Sequence, residues 1–272
     1  MNPFANTRSM NGRMRSFFCT MTTVVLLTAV AAAAGAQDIA QALEQQSAQA
    51  YEKLLSDAAQ KNQLVASDDP AAVRIHNIEK RLLPQAFRIN ARSRQWDWQV
   101  NLIDSPEINA FCMPGGKIAF YTGLIDQLDL SDAEIAIVMG HEMTHALREH
   151  GVDQYQKHVY GQLAERAGVS IASRFFNIDP SLLGFGAQLV DNLAQLRFSR
   201  SDETEADMIG LELAARAGFD PRSGLTLWDK MERASRSGRL QFLSSHPGGP
   251  DRVRAIQAQL PRVLPLYQDA AR

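Results

Sequence analysis

Two imidazoles spaced i, i+4, with a carboxylate beside the first, set the chemistry open to this chain: His141-Glu142-Met143-Thr144-His145. On a helix of 3.6 residues per turn His141 and His145 share a face and can grip one ion. Glu142 lies about 100° round the helix, within reach of a water on that ion without being a ligand itself. Zinc suits two imidazoles plus one carboxylate, with a fourth position left to water, so the pentapeptide points to metal-assisted hydrolysis. The carboxylate has a candidate downstream. In Glu203-Thr204-Glu205-Ala206-Asp207 the acids Glu203 and Asp207 are again i, i+4 on one face. Glu203 is the expected third ligand, and Asp207, one turn on, is placed to accept the remaining ring N–H of a ligating histidine. Glu205 competes as a ligand, but it points about 200° away from Glu203 and has no acid partner of its own.

These residues need two helices to carry them. Ser131-Asp132-Ala133-Glu134 is a capping box, Ile135, Val138, Met139, Met143 and Ala146 follow at helical spacing, and Gly151 is the expected stop. The second helix begins at the acidic pentapeptide and ends at Gly218. Ahead of them, Asp68-Asp69-Pro70 starts a helix that Pro84 should bend or interrupt. Trp98, Val100 and Leu102 alternate as a strand, and 108–113 and 117–122 flank the turn Pro114-Gly115-Gly116. Asp220-Pro221 opens a further helix, and another is expected over 251–260 beyond a Gly/Pro-rich loop. Between the two metal-site helices, Ile171 to Leu193 is apolar at helical spacing but carries Arg174, Asp179 and Asp191, which argue against a membrane span. His76, His150 and His158 have no comparable context and are assigned no role.

The motif His141 to His145, the later Glu203 to Asp207 with Arg200 just upstream, and His246-Pro247 followed by Arg252 together resemble the HtpX and CAAX-prenyl-protease family of zinc metallopeptidases (gluzincins), nearest its soluble periplasmic BepA/LoiP-type members. The resemblance covers roughly residues 70–260. It implies a zincin-like fold, one zinc ion per chain and endopeptidase activity on misfolded or misassembled envelope proteins, with outer-membrane assembly machinery as a further partner. It makes His141, His145 and Glu203 the metal ligands, Glu142 the general base and Asp207 the acid behind a ligand. It also brings His246 and Arg252 to the site, as groups for a developing oxyanion or, for His246, as a fourth ligand. Such enzymes hold substrate as a strand added to a sheet edge. Gly115, Gly116, Lys117, Ile118 and Ala119 are the candidate edge, with a buried strand of a small sheet as the equal alternative. The opposing reading is a non-catalytic chaperone or assembly factor whose helices are merely tied by zinc.

Arg8, Arg13 and Arg15 precede an apolar run from Phe17 to Ala34, and Ala34-Gly35-Ala36 offers a cleavage site. The expectation is a signal peptide over 1–36 and a periplasmic enzyme, peripheral at the outer membrane, with a retained anchor as the rival reading. With residues 1–36 removed, Cys112 is the one cysteine left, so no intramolecular disulfide can form. A formal net charge of −2 gives no electrostatic case for nucleic acid. The expected fold is α+β and mostly helical, with a small sheet. Its divisions would be a helical extension over 37–68, a metallopeptidase domain over 69–262 and a tail over 263–272.

Overall fold

The computed structural model describes residues 39–157, 198–236, 242–270 and 272. The expected signal segment and the apolar stretch before residue 198 fall outside them. The fold is mostly helical around one small sheet. Helix α1 (39–60) and helix α2 (Pro70–Ile89) lead, by way of a short 3-10 turn, into strand β1 (Gln99–Ile103). Strands β2 (Ala110–Met113) and β3 (Lys117–Tyr121) form the expected hairpin. Gly115 and Gly116 turn it at φ +82° and +78°, and a Cβ on Gly116 would fall 2.6 Å from the Trp98 ring. The strand order is β1-β3-β2, with β1 parallel and β2 antiparallel to β3.

Both faces of the sheet are covered, which is why Lys117 to Phe120 are all buried. Val100, Leu102, Ile118 and Phe120 join Ile75, Ile78 and Leu82 of α2 in the main core. On the other face, Ile103, Met113 and Ala119 meet Tyr51 and Ala58 of α1. After helix α3 (Thr122–Gln127) comes α4 (Asp132–Leu147), which runs through the centre of the molecule with every residue from Glu134 onward buried. Its capping box forms as expected: Glu134 N donates to Ser131 Oγ at 3.3 Å, and Ser131 N donates back to Glu134 Oε2 at 2.8 Å.

The end of α4 differs from expectation. The helix stops at Leu147, Glu149 takes φ +58°, and Gly151 lies inside the next helix, α5 (150–157). Helix α6 (Arg200–Arg216) crosses α4 with glycine against glycine, and a Cβ on Gly140 would meet Gly210 O at 2.7 Å. Side chains on either helix would hold the axes apart, so this crossing sets how near the histidines come to the acids. Helices α7 (Ser223–Ser235), α8 (Phe242–Ser245) and α9 (Pro250–Ala270) close the fold. Prolines do not break their helices here. Pro84 sits inside α2, and α9 continues through Pro261 and Pro265, because buried Leu82 and Ala86 in α2, and Val263 in α9, keep packing on the core beyond each lost hydrogen bond. Among the described residues no helix is long and apolar enough to cross a membrane.

Candidate metal centre

Three separate elements deliver the site. Helix α4 presents His141, Glu142 and His145, the first turns of α6 present Glu203 and Asp207, and the loop after α8 brings in His246. His141, His145, Glu203 and His246 are buried, and one ligand atom from each lies within 4.8 Å of all the others. His141 Nε2 is 3.1 Å from His145 Nε2 and 3.2 Å from His246 Nδ1. Glu203 completes the group, with Oε1 3.0 Å from His246 Nδ1 and 3.4 Å from His145 Nε2, and Oε2 3.6 Å from His141 Nε2. A tetrahedral ion bonded at about 2.0–2.1 Å would separate neighbouring donor atoms by roughly 3.3–3.4 Å. The donors therefore fit a zinc-sized cation, and three ring nitrogens at this spacing need a proton or a cation between them.

Glu142 stands beside the cluster and outside it. Its Oε1 is buried, has no hydrogen-bond partner among the described residues, and lies 3.5 Å from His246 Nε2. Burial pushes its carboxyl up from the usual carboxylate range, against the opposing pull of His246 and His141. Glu203 goes the other way. Burial would raise it, but hydrogen bonds with His145 and His246 and the charge of His141 hold it well below the usual range. Burial drives His145 well below the ordinary imidazole value. Burial would lower His141 too, yet its bond to Asp207 and the Glu203 charge leave it raised.

Behind the cluster, Asp207 Oδ1 lies 3.1 Å from His141 Nδ1. The Arg252 guanidinium grips Asp207 through Nε and Nη2 at 2.6 and 2.7 Å, reaches Glu203 Oε2 through Nη1 at 2.5 Å, and lies 4.2 Å over the Trp228 ring. These contacts make it a clamp on two carboxylates. The expected substrate edge is corrected. Gly115 and Gly116 belong to the turn, and Lys117, Ile118 and Ala119 lie in β3, the central strand, whose two sides are already paired. Among the described residues β2 pairs with β3 alone, and it packs beside α4. A cavity lined by Phe111, Met113, His145, Val152 and Phe198 runs along it.

The sequence reading missed two aromatic plates and one histidine. Phe198 stacks on His145 at 3.8 Å between ring centres, and Phe242 stacks on His246 at 4.5 Å. His150 bonds His145 from behind. A helix continued past Leu147 would have carried His150 roughly 140° away from His145, so helical spacing gave no signal.

A model of peptidase family M48 matches residues 72–260. The chain belongs to this family. Among relatives, mitochondrial metalloendopeptidase OMA1 of Arabidopsis thaliana is 36% identical over 174 residues, 63% of this chain and 34% of the relative. OMA1 of Schizosaccharomyces pombe is 30% identical over 227 residues, covering 82% and 63%. Metalloprotease LoiP of Escherichia coli is 27% identical over 154 residues, covering 57% and 59%. The M48 chain thus spans 34–63% of the length of these three curated relatives. The comparisons correct the expected affinity to the periplasmic branch: the relatives of higher identity are mitochondrial enzymes, and LoiP stands below them. They overturn the expected periplasmic location with it.

Proposed function

We propose that this M48 chain is a zinc-dependent endopeptidase holding one zinc ion through His141, His145 and Glu203, with unfolded or misassembled polypeptides as substrates. The observation that carries the reading is the buried carboxylate of Glu142, with no hydrogen-bond partner for Oε1 among the described residues, beside four converging donor atoms that suit a metal. When bound, zinc supplies Lewis acidity for a carbonyl and for water. Glu142 is the group that takes a proton from the attacking water and returns it to the leaving amine. Asp207 holds the proton on His141 Nδ1, which leaves Nε2 free to face the ion. The free edge of β2 would hold substrate through backbone hydrogen bonds, which suits extended chains of varied sequence.

One feature favours a second reading, a zinc tie in a non-catalytic assembly factor: four protein donors make a closed set, as structural zinc sites have. A structural site has no need of a base, so Glu142 discriminates. Glu142→Gln should keep its zinc while cleavage of an unfolded casein-like substrate falls by roughly 10²–10⁴-fold. Chelation of the unaltered enzyme should abolish cleavage, and elemental analysis should give one zinc per chain. Zinc-replete protein that leaves unfolded substrate intact, with its zinc-replete His246→Ala variant equally inactive, would establish the tie instead.

A further inference from the structure

We propose that His150 and Glu205 form a positioning relay for His145 and thereby set the metal affinity of the site. This rests on reading His145 as a ligand. His145 turns Nε2 into the cluster, 3.1 Å from His141 Nε2 and 3.4 Å from Glu203 Oε1. A ring nitrogen that gives its lone pair to a metal carries no proton, so the His145 proton sits on Nδ1. That atom lies 3.0 Å from His150 Nδ1. Only one of the two facing nitrogens can hold a proton, so His150 Nδ1 accepts. The proton of neutral His150 is then on Nε2, which donates to Glu205 Oε2 at 3.1 Å. The other Glu205 oxygen is held by Arg148 Nε at 2.7 Å. One polarity runs through the whole chain, from His145 to His150 to Glu205.

The two ligating rings are therefore backed alike. His141 meets the Asp207 carboxylate directly, and His145 meets the Glu205 carboxylate through a second imidazole. His145 and His150 are 2% and 4% exposed, too buried for water to replace a lost partner. The backbone prepares the contact. The turn at Arg148 and Glu149, the latter at φ +58°, ends α4 and swings His150 back beneath His145. Glu205 comes from the same helix as Glu203, two residues on, so α6 offers one acid to the centre and another to its support. The relay ties α4, α5 and α6 together where the ligand must not tilt.

The competing account is a ring that only fills space between His145 and Phe198, which lie 5.0 and 6.4 Å away by ring centres. His150→Phe keeps the ring and loses both bonds, whereas His150→Asn keeps an acceptor near the Nδ1 position. Zinc affinity would be measured by competition with a chelator of known strength, alongside the melting temperature of the metal-free protein. His150→Phe should bind zinc about 10–100-fold more weakly. His150→Asn should regain most of that loss, and Glu205→Ala should show a smaller one. Unchanged affinity in His150→Phe overturns the relay. So do equal losses in the Phe and Asn variants that track a fall in metal-free melting temperature, which would make His150 a packing residue. Should His150→Phe not fold, the Asn and Glu205→Ala variants decide by the same affinity measurement. Unaltered protein that binds no zinc fails earlier and differently, since it removes the metal-centre reading itself.

Discussion

His246 holds two positions at once: Nδ1 lies among the metal donors and Nε2 faces Glu142. Its ring is stacked on Phe242 and its amide donates to Phe242 O at 3.0 Å, so the loop is braced in this arrangement. A fourth protein ligand closes the site to water, and hydrolysis then requires the imidazole to leave. His246→Ala should therefore raise cleavage of an unfolded substrate while His141, His145 and Glu203 retain zinc. A fall in cleavage at full zinc content would move His246 to oxyanion stabilisation, and no change in rate would leave it without a role. The resemblance brought His246 to attention, whereas its own surroundings did not, because a histidine between Ser245 and Pro247-Gly248-Gly249 has no periodic neighbours. The contacts of Arg252 were hidden for a related reason. Sequence shows a charge near the site, but not which acceptors its fork will meet.

At the scale of elements, i, i+4 spacing made both ligand helices legible, because that spacing is a property of the helix alone. Strand order was not legible, since it depends on which distant segments pair, and the expected edge strand proved to be the central one. Nor was the α4–α6 crossing. Gly140 and Gly210 read as weak points in their helices, yet a Cβ on Gly210 would lie 2.6 Å from His141 N. Gly210→Ala gains about 1 kcal/mol in helix propensity. The backbone clash should exceed that gain, giving a net loss of about 1–3 kcal/mol in urea unfolding together with weaker zinc binding. Equal or greater stability would mean that the crossing relaxes freely.

The start of α4 carries a pH signature. Burial would raise the Glu134 carboxyl, but the bond from Lys230 Nζ at 2.8 Å, with those from Ser131 and Thr226, outweighs it and holds the group below the usual range. A depressed folded value adds stability that is fully present above the unfolded value near ~4.3 and is lost as pH falls through the folded one. Lys230→Met should thus be less stable than the unaltered protein at pH 7, and the gap should narrow by pH 3. A gap independent of pH would place the effect in packing.

For the molecule as a whole, the open question from sequence was where the domain begins. Residues 37–68 read as an extension because their apolar positions are scattered among Gln, Ala and Glu. Folded, α1 buries Ala40, Leu43, Ser47, Ala50, Tyr51 and Ala58, a stripe at three-, four- and seven-residue spacing, much of it made of small side chains. Small residues give a weak apolar signal but allow close approach. Tyr51 Oη donates to Ile118 O on β3 and accepts from Asn101 Nδ2 on β1, while Leu43 and Ala40 meet Val152 on α5. Glu44 adds an ion pair to Arg92 at 2.7 Å. The helix thus covers the sheet face opposite α2 and α4 and reaches the segment that carries His150. An extension that only rests on a finished domain would tolerate truncation of its side chains. A helix that completes the core would not, and Leu43 is fully buried. Leu43→Ala should therefore cost about 2–5 kcal/mol. It should do so in one cooperative urea transition that takes the zinc site with it. A loss below about 0.5 kcal/mol, the range of surface substitutions, or a separate early transition for α1 would instead support a domain boundary near residue 68.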